Sequence, residues 1–369
     1  MGNKIPLIKP YIDSYVKAKV LEVLDSGYLT EGPVTHKFEE KFSKYIGCEF
    51  SIAVTSCTTG LELALRALNI GPGDEVIVPD YTYPATASVV SIVGATPVVV
   101  DIDRDTMLID YGKAERAITK RTKAIIPVSL FGNPLDYDKL NFIREKHKIY
   151  IIEDAACAVG SEYKNVKSGN WADISVFSFH PRKFITTGEG GMVTTNNKER
   201  ADWMNSYKHF GMNMVPDQRE TAGFEMIGTN YKLSNILSAI GLAQLEHIDM
   251  LLNRRIELVI NYKRLLKGII EISIPGIHNE GKHSFQSFCI FIDNRDKIMK
   301  SLRSKGIEVQ IGTYSLHMHK AFQNPDKVRL EGNFDNSSYA FNHCLALPLF
   351  HDLTFEQQEY IVEQLKTVL

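Results

Sequence analysis

The chain has 369 residues, 44% of them hydrophobic and 23% charged, and 42 Lys and Arg against 44 Asp and Glu leave a net charge of -2. That length supports a large core and two structural domains, and the balance is that of an ordinary globular protein. Basic residues are dispersed, so there is no field for nucleic acid or an anionic membrane, and no apolar run is long enough to span a bilayer.

The opening residues Met1 to Pro6 carry no apolar signal core and no Ser or Thr at position six for myristoylation, so a cytoplasmic chain is expected. The cysteines are Cys48, Cys57, Cys157, Cys289 and Cys344. None forms a CxxC pair, so neither a zinc site nor a disulfide framework is expected.

From Ser51 to about Asn196, short apolar runs alternate with amphipathic stretches. The runs Glu75–Pro79, Pro97–Asp101, Ala124–Leu130, Ile149–Glu153 and Ile174–Phe179 are rich in Val and Ile, as strands buried on both faces should be. Between them, Thr58–Leu68 places Leu61, Leu65 and Leu68 on one helix face. The alternation predicts an α/β fold with a mostly parallel sheet between helices. After Asn230 the spacing predicts long helices over Leu233–Leu252 and Arg254–Leu266. An α+β unit follows, with strands at Glu271–Ile274, Gln286–Ile292 and Glu308–Ile311, a helix near Arg295–Lys305 and a terminal helix over Phe355–Val368. The expected division is a large domain over 1–250 and a small C-terminal domain over 251–369, with the residues before about Glu40 wrapping around.

Three stretches carry chemistry. Thr55-Ser-Cys57-Thr58-Thr-Gly60 precedes a helix, where hydroxyls and free backbone N–H groups make either ordinary caps or a phosphate site. Ile151-Ile-Glu153-Asp154 ends a buried strand. Asp154 is then a helix N-cap, a metal ligand (though no His or carboxylate stands at ligand spacing) or a carboxylate facing the ligand crevice of an open sheet, placed to pair with a protonated ring nitrogen. Ser175-Val-Phe-Ser178-Phe-His180-Pro-Arg-Lys183 leads into Gly188-Glu-Gly-Gly191. Lys183 is either a solvated loop lysine or an amine held near the sheet edge, where partial desolvation would lower its pKa and make it a nucleophile toward an aldehyde.

Together these stretches resemble the DegT/DnrJ/StrS sugar aminotransferase family of fold-type I pyridoxal-phosphate (PLP) enzymes. The likeness runs from Asp25-Ser-Gly-Tyr28-Leu-Thr-Glu-Gly32 to Leu345-Ala-Leu-Pro348-Leu-Phe-His-Asp-Leu353, and includes Pro79-Asp-Tyr-Thr-Tyr83-Pro-Ala-Thr86-Ala87. It implies an aspartate-aminotransferase-like fold with a mostly parallel seven-stranded sheet and a smaller C-terminal α+β domain. It implies PLP held as a Schiff base by Lys183, which also shuttles the proton. Asp154 would bind the ring nitrogen, Tyr83 would stack on the ring, and Cys57, Thr58 and Ser178 would hold the phosphate. Asn230 would reach the phosphate of a partner subunit in a homodimer, unless it only caps the helix near Leu233. Tyr28, His180 and His317 are candidate substrate contacts, and Cys157 stands where Gln, His or Glu often meets the ring hydroxyl. A thiol is a weak partner there. Ser129 and Lys232 replace a frequent His and Arg and would reshape substrate contacts.

The implied reaction exchanges the amine of an amino acid, expected to be L-glutamate yielding 2-oxoglutarate, for the carbonyl of a keto-sugar linked to a nucleotide. Related dehydratases carry His at the position of Lys183, so transamination is favoured here. A small phosphorylated ketone as acceptor, a PLP lyase or dehydratase, and a PLP-binding regulator stay open. His317 and His319 lack a third ligand, so no metal is expected.

Overall fold

The computed structural model describes residues 4–213, 223–277 and 280–369. Met1 to Asn3, part of the stretch searched for a leader or lipidation signal, lie outside them. The central sheet is built from β1 (Phe50–Val54), β2 (Glu75–Pro79), β3 (Thr96–Val100), β4 (Thr122–Ile125), β5 (Tyr150–Asp154), β6 (Ile174–Ser178), β7 (Gly191–Thr195) and β8 (Arg329–Glu331), in the order β1-β7-β6-β5-β4-β2-β3-β8. Only β7 runs against its neighbours, and the other pairings are parallel. The expected seven strands are present. The eighth, β8, comes from the C-terminal region and extends the edge beside β3. It is too short and too charged to show as an apolar run.

Strand interiors are buried on both faces because helices cover both sides. Residues of β2 and β6 are buried throughout. Helix Cys57–Ala67 lies directly on the sheet: a Cβ at Gly60 would come within 2.5 Å of Val176 Cγ1, so only glycine lets this helix approach so closely. Leu61 and Leu65 are fully buried beneath it, each worth about 1.5–3 kcal/mol of apolar burial. The expected run Ala124–Leu130 stops as a strand at Ile125 and turns through the 3-10 segment Leu130–Gly132.

The two long helices exist with a different break. They span Asn235–Leu245 and Ile248–Leu266, interrupted at Glu246-His247 rather than near Asn253. Leu245, Ile248 and Leu251 are buried in one cluster, so the apolar pattern runs unbroken across the junction and could not mark it. The second helix ties the two parts together. Its first turns pack on the large unit, and Leu258, Val259, Tyr262 and Leu266 pack on the small one. The small unit is a four-stranded sheet of Ile272–Ser273, Phe288–Ile292, Cys344–Leu347 and Gln310–Ile311, backed by helices Arg295–Ser304 and Phe355–Lys366. The N-terminal arm docks on it through a parallel bridge, Ile5 to Ile307. Among the described residues no helix is long and apolar enough to cross a membrane.

Candidate active site

The carboxyl ends of β5 and β6 meet the start of helix Cys57–Ala67. In β5, alternation turns adjacent carboxylates to opposite faces. Glu153 faces the core and is saturated: Ser129 Oγ and Tyr137 Oη each donate at 2.6 Å, and Gly169 N and Ser175 Oγ each donate at 3.0 Å. Asp154 faces the other way and is 5% exposed. Thr86 Oγ1 donates to it at 2.8 Å and Ala156 N at 3.2 Å, with Cys57 Sγ at 3.9 Å. Burial raises its pKa, while Thr86, Ala156 and Lys183 pull the other way.

Lys183 closes a turn, its N–H donating to His180 O at 2.8 Å. Its Nζ donates to Cys157 Sγ at 3.1 Å. The expected lowering of its pKa is not found. Burial does push the ammonium down, but Cys157, Cys57 and Asp154 outweigh that and hold it above the ordinary lysine range. Desolvation alone misjudged the sign because it left out the acceptors the fold brings around the amine.

The helix start is prepared for an anion. Ser56 Oγ accepts from Thr59 N at 3.1 Å, and Thr59 Oγ1 accepts from Ser56 N, a closed capping box. Gly60 N donates to Ser56 O. The amides of Cys57 and Thr58 have no acceptor among the described residues, which is the arrangement a phosphate uses. A Cβ at Gly191 would sit 2.7 Å from Cys57 N, so β7 is pressed against this turn. The Cys57 thiol points away, toward Val176 O at 3.6 Å, and burial drives its pKa well up. Cys57 can therefore serve a phosphate through its N–H and not through sulfur. Ser178, at the end of β6, is buried and its Oγ accepts from His180 N at 3.4 Å.

A buried carboxylate at one side, a lysine amine at the other, and unspent amides at a helix start form the donor set that PLP requires. The exposed Tyr83 ring, 66% accessible and 6.2 Å from Tyr314, stands at the end of the short strand Tyr81–Thr82. The other candidates form no side-chain hydrogen bond with Lys183 or Asp154 among the described residues. Tyr28 is exposed on the loop before helix Pro33–Ile46, and His180 is exposed in the Lys183 turn. Asn230 is exposed and its Oδ1 accepts from Lys232 N at 3.4 Å. His317 Nδ1 lies 2.7 Å from the buried Asp80 carboxylate, and its ring stacks on Phe334. Among the described residues no cluster of His, Cys, Asp and Glu could hold a metal.

Sequence reading missed the roles of Thr86, which orients Asp154, and of Asp80, which orients His317. Thr86 lies in the Pro79–Ala87 motif, two residues into a helix turn, and its hydroxyl was the available signal. Ser129 was expected to reshape substrate contacts, yet it is fully buried on Glu153.

Residues 10–366 match the model of the DegT/DnrJ/EryC1/StrS aminotransferase family. GDP-perosamine synthase of Caulobacter vibrioides is 40% identical over 322 residues, covering 85% of this chain and 86% of that protein. Among solved structures, the PLP form of Spr1654 from Streptococcus pneumoniae superposes with a TM-score of 0.92 at 33% identity, covering 99% of this chain and 98% of that one. Helicobacter pylori PseC, an aminotransferase involved in the biosynthesis of pseudoaminic acid, superposes with a TM-score of 0.92 at 29% identity, covering 99% of each chain.

Proposed function

The chain belongs to the DegT/DnrJ/EryC1/StrS family of PLP-dependent aminotransferases, and from that premise we propose that it transfers the amine of L-glutamate to a keto-sugar linked to a nucleoside diphosphate. The aminotransferase chemistry rests on one arrangement, the Lys183 amine and the Asp154 carboxylate around a helix start with unspent amides. The sugar nucleotide rests on likeness to a relative whose name joins GDP to an amino sugar.

When bound, PLP supplies an aldehyde for the amine and a ring that takes up the electrons left by a departing proton. Lys183 would tether it and, once released, carry a proton on Nζ to and from the substrate carbon, so one residue is both tether and acid–base. Asp154, oriented by Thr86, would keep the ring nitrogen protonated. The amides of Cys57 and Thr58, with the Ser178 hydroxyl, would hold the phosphate, and Tyr83 would cover one ring face.

The homodimer belongs to the same reading. Asn230 is exposed on the segment that carries Phe224 and Ile227 and that bridges to His209 next to Phe210; these three apolar side chains are 66%, 97% and 50% accessible, and a partner subunit would cover them. Light scattering should return twice the chain mass. A cytoplasmic location agrees with five free cysteines.

The test is the visible spectrum before and after L-glutamate. Conversion to the pyridoxamine form, followed by return on adding a keto-sugar nucleotide, is the expected result. A bound-cofactor band indifferent to glutamate would point to another amine donor, a lyase or a regulator instead.

A further inference from the structure

A cavity of about 490 Å³ lies between the N-terminal arm and the loop after helix Arg295–Ser304, lined by Lys4, Arg182, Arg303 and Glu308 over apolar contacts such as Leu7 and Ile307. Three cations face one carboxylate, and that carboxylate is already committed. Lys4 Nζ pairs with Glu308, and Leu7 N donates to its Oε2 at 3.0 Å. The backbone is fixed on both sides by Ile5 N to Gly306 O and Glu308 N to Ile5 O, each 2.9 Å.

The two guanidinium groups are not committed in this way. Arg303 spends Nε on Val309 O at 2.9 Å, and its Nη groups have no acceptor among the described residues. Arg182 offers Nη1 to the neutral Gln310 Oε1 at 3.3 Å, and no carboxylate among the described residues forms an ion pair with it. Two exposed arginines are ordinarily solvated and nothing more. These two line one cavity whose single carboxylate, Glu308, already pairs with Lys4 and also feels Arg182, so the positive charge there exceeds the negative. A planar fork of N–H donors matches phosphate oxygens in pairs, which a lysine cannot do. Two forks suit two phosphates. Arg182 also immediately precedes Lys183, so the turn that presents the amine presents this cation.

We propose that this cavity is a diphosphate site, with Arg182 and Arg303 binding the two phosphates of a nucleoside-diphosphate-linked substrate and the apolar side accepting part of the nucleoside. The inference rests on the sugar-nucleotide reading above.

The experiment titrates the cofactor-loaded protein with UDP, GDP and inorganic pyrophosphate at low and high salt, in wild type, Arg303→Gln, Arg303→Lys and Arg182→Gln. L-glutamate is added to each protein in parallel and followed by absorbance. UDP or GDP should bind, more weakly at high salt. Arg303→Gln should lose about tenfold or more in affinity, the scale of one charge-assisted pair, while its glutamate response stays that of wild type. Arg303→Lys should fall between them, and Arg182→Gln should lose affinity as well. Nucleotide binding that ignores both glutamine variants, or no nucleotide binding in wild type, overturns the proposal. If wild type binds nucleotide through Arg303 but never responds to glutamate, the cavity assignment stands and the amine-donor reading fails.

Discussion

Lys183 Nζ lies 3.1 Å from Cys157 Sγ, and this contact is the foremost influence that holds the lysine protonated against its own burial. A protonated amine cannot attack an aldehyde, so the cofactor-free protein must lose that proton before it captures PLP.

Cys157→Ala removes this partner, so the free-amine fraction at a given pH should rise. The rate of PLP capture, followed by visible absorbance against pH, should shift to lower pH. The stability effect has the opposite sign. A raised lysine pKa stabilises the fold below the unfolded value of about 10.4 and ceases to do so as pH climbs through the folded value. Cofactor-free Cys157→Ala should therefore be less stable than wild type at neutral pH, with the gap closing in alkaline urea titrations. A pH profile identical to wild type would remove Cys157 from this role.

Asp154→Ala should keep the cofactor attached through Lys183 and lower turnover by about a hundredfold or more, the scale of a lost electrostatic partner at the reacting group. Steady-state kinetics with the absorbance of bound cofactor as a control checks this. An unchanged rate would mean that another group holds the ring nitrogen.

Lys183→Ala should abolish both turnover and the absorbance of covalently held PLP, although the phosphate site at Cys57 and Thr58 survives. Retained turnover would contradict its assignment as tether and proton carrier.

Glu153→Ala should act on the fold instead. It strands four buried donors, from Ser129, Tyr137, Gly169 and Ser175. One unsatisfied buried donor costs about 1–3 kcal/mol, so a loss of about 3 kcal/mol or more is expected in urea unfolding. A variant as stable as wild type would show that the network carries no stability.

Gly191→Ala should weaken PLP binding out of proportion to its effect on stability. The new methyl would stand 2.7 Å from Cys57 N and from Ser56 C, both backbone atoms, and would displace the amides that face the phosphate. Equilibrium dialysis of PLP, paired with thermal melts, separates the two effects.

The chain itself carried the alternation of apolar strands and amphipathic helices, the strand-end position of Asp154, the capped helix start at Ser56 and the turn bearing Lys183. These depend on residues a few positions apart, where backbone periodicity and capping are decided. Tertiary structure decided the rest. It divided Glu153 from Asp154 by the partners on each face, four donors from Ser129, Tyr137, Gly169 and Ser175 on one side and Thr86, Ala156 and Cys57 on the other. It added β8, whose three residues have no apolar signature and pair only because the chain returns to the edge of β3. It placed Cys157 against Lys183 across 26 positions and so reversed the expected direction of the lysine's pKa. A pKa is a sum over every charge and acceptor within a few ångströms, and most of those neighbours are remote in sequence, so only folding could set its sign.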